Sequence, residues 1–220
     1  MATALPARVA VLASGGGSNL QAVLNHEPAA GGAYQVVLAA SDRADAGALP
    51  RAAARGVATA PLADPQDGGA MLALLAAYDV ELVVLAGYLR LVPAAVTHAY
   101  AGRMLNVHPA LLPAFGGPGM YGLRVHRAVI VSGARLSGPT VHFVDEAYDR
   151  GAIVAQWPVP VRLGDTPEQL AARVLTAEHR LLPRTLAHVA RGALALGGDG
   201  RVHARAGADL SDLCFAPGDC

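Results

Sequence analysis

Asn106 and His108 stand two residues apart in Leu105-Asn106-Val107-His108-Pro109, closing the short run Arg103-Met104-Leu105. In a strand, alternate side chains share a face, so both would point the same way. An amide N–H beside an imidazole at a strand mouth can stabilise an oxyanion and manage a proton. Further on, Thr140-Val141-His142-Phe143-Val144 reads as a second strand leading into a loop with Asp145, Glu146 and Asp149. Amide, imidazole and carboxylate on neighbouring strand ends suit acyl transfer. A lone strand histidine is more often just packed; the Asn-x-His spacing, Pro109 and the acidic loop argue for chemistry. His142 reads two ways, as an orienter of Asp149 or as a core histidine.

Two glycine-bearing turns add a binding surface. Ser14-Gly15-Gly16-Gly17-Ser18-Asn19 lies between a strand-like and a helix-like segment. Glycines allow the tight turn, and free N–H groups at a helix start attract anions, so the segment reads as a phosphate cradle. Leu20 replaces the third glycine of the dinucleotide fingerprint, and no lysine follows as a P-loop requires. Asp42 would mimic a dehydrogenase's ribose-binding acid only weakly without that glycine. Leu85 to Val92, LAGYLRLV, follows another strand candidate. In an open α/β sheet that is where ligands bind, and its apolar flanks could clasp a flat ring.

The 220 residues suit one sizeable α/β domain, and 53% hydrophobic content fills its core. Zero formal charge and a pI near 7.1 argue against non-specific nucleic-acid binding. No apolar run approaches the roughly 20 residues that span a bilayer, and Met1 to Arg8 does not read as a signal peptide. Cys214 and Cys220 lie at the chain's end without metal-ligand spacing, which fits a reduced, cytoplasmic protein with no metal.

The elements that must position these groups alternate. Strands are expected at Arg8–Ala13, Gln35–Ala40, Val57–Pro61, Glu81–Ala86 and Arg103–His108, and helices at Asn19–Leu24, Ala46–Arg55, Met71–Tyr78, Pro93–Tyr100 and Leu123–Val131. Near-continuous apolar strands alternating with helices predict a doubly wound, mostly parallel sheet with helices on both faces. Residues 114–122 read as loop, and 138–144 and 152–162 as two more strands. Thr166-Pro167-Glu168-Gln169 is a capping-box helix start, with the helix running to about Arg180 and Pro183 kinking or restarting it. Residues 197–220 read as a peripheral tail.

Taken in order, SGGGSN, LAGYLRLV, LNVHPALLPAF, GMYGLRVHRAV, SGPTVHFVDEAYDRG and AEHRLLP closely resemble the phosphoribosylglycinamide formyltransferases, a folate-dependent family of purine biosynthesis. The resemblance runs from about Arg8 to Ala190. It implies a Rossmann-like formyltransferase fold in a single domain over 1–220. Residues 8–110 would form a phosphate-binding half, 111–196 a folate-binding and catalytic half, and 197–220 the tail. It implies catalytic roles for Asn106, His108 and Asp149, and phosphate binding on the backbone of Gly17, Ser18 and Asn19. Glu178 would lie near the ribose hydroxyls, and the folate pterin against Leu89, Arg90, Leu91, Val92 and the 144–149 loop, Val144 included.

The implied co-substrate is 10-formyltetrahydrofolate and the acceptor glycinamide ribonucleotide. No metal, nucleic acid or membrane is implied, and the chain would be a monomer or homodimer. Many relatives carry Lys or Gln where Leu175 stands, and an Arg near the loop 63–69, which has none here; Arg124 or Arg127 would have to compensate. A cis peptide before Pro113 is a further family trait. Related enzymes pass the formyl group to water or to aminoacyl-tRNA, and a non-catalytic sugar-phosphate or folate sensor would keep only the glycine turn.

Overall fold

Long apolar stretches that leave no polar edge for solvent must be covered on both faces, and the chain does this with one central sheet. The computed structural model describes residues 5–27 and 31–214. In chain order the strands are β1 (Ala7–Leu12), β2 (Tyr34–Ser41), β3 (Ala58–Pro61), β4 (Leu82–Leu85), β5 (Met104–His108), β6 (Leu136–Ser137), β7 (Thr140–Phe143), β8 (Ile153–Gln156), β9 (Val159–Pro160), β10 (Leu194–Leu196) and β11 (Val202–Ala204). The helices are α1 (Ser18–His26), α2 (Ala48–Ala53), α3 (Gly68–Ala77), α4 (Ala94–Ala99), α5 (Leu123–Val131) and α6 (Pro167–Ala190).

Seven strands form the sheet in the order β3-β2-β1-β4-β5-β7-β8. The five from β3 to β5 run parallel, and β7 and β8 are added antiparallel. This is the doubly wound, mostly parallel α/β sheet that the alternation predicts. One face packs the apolar sides of α1, α2, α5 and α6 against Val9, Val11, Val84, Leu105 and Val107. The other packs α3 and α4 against Ala10, Leu12, Val83, Leu85 and Met104. In β5, Leu105 and Val107 therefore belong to the first core. Asn106 and His108 share the opposite side with Met104, beyond the reach of that core.

Several expected elements differ in detail. The run 152–162 is broken at Trp157 and Pro158 into β8 and β9, and β9 pairs with the short β6 rather than with β7. Helix α6 does not stop near Arg180 or restart at Pro183; it continues through Pro183 to Ala190. An internal proline costs a helix about 3 kcal/mol. Leu181, Leu182 and Leu186 around it are all 0% exposed, and each buried leucine contributes about 1.5–3 kcal/mol. Packing therefore carries the helix through.

The described part of the tail folds back as a β10–β11 hairpin and a short turn of 3-10 helix at Ser211–Leu213. It is anchored by Trp157 Nε1, which donates to the Leu213 carbonyl at 2.7 Å, and by His188 Nε2, 2.6 Å from Asp212 Oδ1. Cys214 is exposed and free; Cys220 lies outside the described residues.

The start of α6 forms as the sequence predicts. Thr166 Oγ1 accepts from Gln169 N, and Gln169 Oε1 accepts from Thr166 N, closing a reciprocal capping box. Thr166→Ala removes one half of it and is expected to cost about 1 kcal/mol. A thermal melt checks this: a fall of roughly 2–4 °C is expected for a chain of this size, and an unchanged melting temperature would count against the cap.

Candidate active site

The strand order reverses direction between β1 and β4, and the loops after these two strands diverge there to leave a crevice. Ser14 knits the two loops together. Its N–H donates to the Gly87 carbonyl at 3.1 Å, and its hydroxyl accepts from Leu89 N at 2.9 Å. A cleft of about 550 Å³ opens from this point along the carboxyl ends of β4 and β5.

The glycine loop turns into α1 at Gly17, whose φ of 76° is left-handed. A Cβ there would meet Ala48 Cα at 2.6 Å, so only glycine lets α2 approach this closely. No side chain caps α1, which leaves the first-turn N–H groups of Ser18 and Asn19 as an anion-attracting end. Asn19 lines the main cleft. Ser18 instead lines a smaller neighbouring cavity with Arg51 and His179. Glu178 lines the main cleft, and His179 therefore points to the far side, as divergence of adjacent helical residues predicts.

Asn19 Nδ2 donates to Glu178 Oε2 at 2.6 Å, and both side chains are buried. Burial pushes the Glu178 carboxyl up to about 7, and the Asn19 hydrogen bond only partly offsets it.

At the cleft's other end the antiparallel pairing of β5 with β7 sets Asn106 directly opposite His142. Asn106 Nδ2 lies 3.0 Å from His142 Nε2 and 3.4 Å from Asp149 Oδ1. His142 Nδ1 donates to the Phe143 carbonyl at 2.7 Å. Its Nε2 is then free to accept from Asn106, and Asp149 Oδ1 lies 3.6 Å from the same nitrogen. His142 is thus both 2% exposed and beside Asp149, so the two sequence readings of it meet in one residue.

His108 Nε2 donates to the Phe115 carbonyl at 2.8 Å, while Nδ1 lies 3.5 Å from Asp149 Oδ2. Burial lowers the His108 pKa; the Asp149 charge and the Phe115 carbonyl oppose it, and His142 adds to the lowering. The ring is therefore neutral at neutral pH, rather than the imidazolium that an adjacent carboxylate alone would favour.

Asp149 has φ 55° and is held by Gly117 N, which donates to Oδ2 at 2.9 Å. Burial alone would raise its pKa, but His142, the His108 charge and the Gly117 N–H outweigh this and lower it. Gly116 makes room for this arrangement, since a Cβ there would stand 3.0 Å from Asp149 Cβ. The intervening turn is fixed by Thr140, whose Oγ1 donates to Ala110 O and accepts from Leu112 N. The Leu112–Pro113 peptide is cis.

Leu89, Arg90, Leu91, Val92 and Val144 all line the cleft, with Tyr88 and Tyr148. Arg90 Nε donates to Asp42 at 3.2 Å, so Asp42 pairs with an arginine at the cleft rim. Leu175 lines the wall as an apolar residue. Arg124 stacks on the Tyr121 ring, 4.9 Å from its centroid. The sequence reading missed His126, a buried residue of the cleft wall in α5. The one signal for it is an imidazole on the buried stripe that also holds Val125 and Val129. Among the described residues, no three His, Cys, Asp or Glu side chains gather as a metal site, and no helix is long and apolar enough to cross a membrane.

Fold and cleft together define an α/β protein with an anion-attracting turn at the sheet's switch point and a buried amide, imidazole and carboxylate cluster beside it. Residues 7–186 match the formyl transferase family, and the chain belongs to it. A chloroplastic phosphoribosylglycinamide formyltransferase of Arabidopsis thaliana is 48% identical over 183 residues, which cover 79% of this chain and 62% of that protein. The trifunctional purine biosynthetic protein adenosine-3 of Gallus gallus is 39% identical over 201 residues, 89% of this chain and 20% of that protein. The chain thus spans about three fifths of the plant relative and a fifth of the avian one. The crystal structure of glycinamide ribonucleotide transformylase 1 from Symbiobacterium toebii superposes with a TM-score of 0.83 at 41% identity, covering 90% of this chain and 94% of that one.

The raised Glu178 pKa has a consequence for stability. Below the ordinary value of 4.5, folded and unfolded chains both hold the proton. As pH rises from there to about 7, the unfolded chain releases it while the fold retains it, so stability falls across that window. Glu178→Gln, which cannot ionise, is expected to melt several degrees above the parent at pH 8 and level with it at pH 4. An equal difference at both pH values would show that Glu178 does not titrate in the fold.

Proposed function

We propose that the protein transfers the formyl group of 10-formyltetrahydrofolate to the amine of glycinamide ribonucleotide, a step of purine biosynthesis. The observation that carries this reading is the convergence of Asn106, His108 and Asp149 in one cleft that also holds the Asn19–Glu178 pair. The names of the plant and bacterial relatives support it. The two partners are small molecules, and a cytoplasmic location accompanies the reading.

In this reading the ribonucleotide phosphate lies on the N–H groups of Gly17, Ser18 and Asn19, and Glu178 receives the ribose hydroxyls. Residues 8–110 supply the glycine turn with Asn106 and His108, and 111–196 supply Asp149 and Glu178. The pterin is clasped by Leu89, Arg90, Leu91, Val92 and Val144. The amine nitrogen attacks the formyl carbon, giving a tetrahedral intermediate whose oxygen carries negative charge. Asn106 and His108 stabilise that oxygen. Neutral His108 takes up the amine proton with Asp149, whose carboxylate stabilises the imidazolium as it forms. The carbon–N10 bond then breaks, the electron pair returns to N10, and N10 receives the proton.

Purified protein with 10-formyltetrahydrofolate should consume the donor only when glycinamide ribonucleotide is present, as followed by absorbance. Turnover without the ribonucleotide would replace the reading with a deformylase. Binding of both ligands without turnover would replace it with a sensor. Asn106→Ala should lower kcat by on the order of 10²–10³.

Asp149→Asn should lower it comparably and should also shift the pH profile. The Asp149 charge raises the His108 pKa against burial, so its removal lowers that pKa further. The acid limb of kcat/KM is expected to move to lower pH. A limb that stays in place would remove His108 as the group taking the proton.

A further inference from the structure

The reaction described above leaves one buried histidine of the cleft unused. His126 is 4% exposed on the buried stripe of α5, and its ring forms part of the wall that also holds His108. Nδ1 is sealed from solvent with no hydrogen-bond partner, so the nitrogen left to face the cleft is Nε2. A neutral imidazole carries a single N–H. Buried N–H groups are rarely left unpaired, whereas an unpaired acceptor is better tolerated. The proton therefore belongs on Nε2. Burial, with a smaller contribution from charge on His108, lowers the His126 pKa to about 4, so the ring stays neutral throughout the neutral range.

The neighbouring donors are already engaged. His108 Nε2–H is bonded to the Phe115 carbonyl, and His108 Nδ1 faces Asp149. The Asn106 amide points at His142 and Asp149. Each of these must exchange a protein partner before it can reach a substrate oxygen. His126 Nε2 has no such partner among the described residues and is free to donate without that exchange.

We propose that His126 is a further catalytic residue, donating from Nε2 to the carbonyl oxygen of the transferred one-carbon group as negative charge builds there beside His108. The inference rests on the formyl-transfer reading and adds a third donor to Asn106 and His108.

Three proteins test it: the parent, His126→Gln, which keeps an N–H donor, and His126→Phe, which keeps bulk alone. Each is assayed with 10-formyltetrahydrofolate and glycinamide ribonucleotide from pH 5.5 to 8.5, with a thermal melt alongside. His126→Phe is expected to lower kcat about 10²-fold with little change in KM. The loss should be the same at every pH in that range, because the ring does not titrate there. His126→Gln should recover at least tenfold of it. A kcat within about threefold of the parent for a folded His126→Phe protein, a loss confined to KM, or no recovery by Gln would overturn the proposal.

Nitrogen-15 histidine NMR of the parent supplies a readout that no variant's folding can affect. Protonation of His126 at Nε2 at pH 7 is expected, and protonation at Nδ1 would overturn the assignment. Failure of the parent to require the ribonucleotide would sink the formyl-transfer reading itself, an outcome separate from any ratio between variant and parent.

Discussion

The antiparallel pairing of β7 with β5 controls the chemistry available in the cleft. Parallel strands from β3 to β5 all release their chains at one end of the sheet, and that end alone could have held Asn106 and His108. Reversing the next strand brings His142 opposite Asn106, and the loop after it leaves beside the start of β5 and sets Asp149 near Asn106 and His108. Cross-strand neighbours on one face lie within side-chain reach. A slip of one residue in this register would turn His142 into the core and put Val141 or Phe143 at the site. The Gly117 N–H and the left-handed backbone at Asp149 complete the arrangement.

Burial is the electrostatic lever shared by these groups, and their partners decide its outcome. It lowers His108 and His126, and it raises Glu178, because each charged form loses water that the protein does not replace. Asp149 escapes the same upward push because two imidazoles and a backbone N–H face it. The cleft thus holds the Asp149 carboxylate beside the neutral imidazole of His108, with the Glu178 carboxyl raised to about 7 at the Asn19 end.

The rest of the fold holds these groups in place. Ser14 ties the two loops of the crevice, Thr140 and Gln156 brace the turn after β5, and α6 supplies Glu178 while its far half receives the tail. The loop bearing Asp149 is also linked to α4 through the His98–Glu146 pair. These attachments lie outside the chemistry yet set the distances on which it depends.

Some of this was written locally in the sequence. The period-two alternation of β5 determined that Asn106 and His108 share a face, because a strand has no other way to place alternate side chains. The glycine turn from Ser14 to Asn19 reads locally as an anion-attracting helix start, and Thr166 with Gln169 announced the start of α6, since both signals act within a few residues. The quoted motifs also carried the family.

Other features depend on contacts between distant segments. Pro183 reads as a break, and only the burial of the leucines around it shows why α6 continues. The run 152–162 reads as one strand, and only the partners of β6 and β7 divide it. His126 has no sequence pattern of its own; its place in the cleft wall exists only once α5 packs against α6. The pKa of His108 likewise depends on how much water the surrounding elements exclude. Local sequence determined which groups were available and which way they faced, and the tertiary structure decided their partners and their charge, because hydrogen-bond distance and burial are properties of the assembled fold.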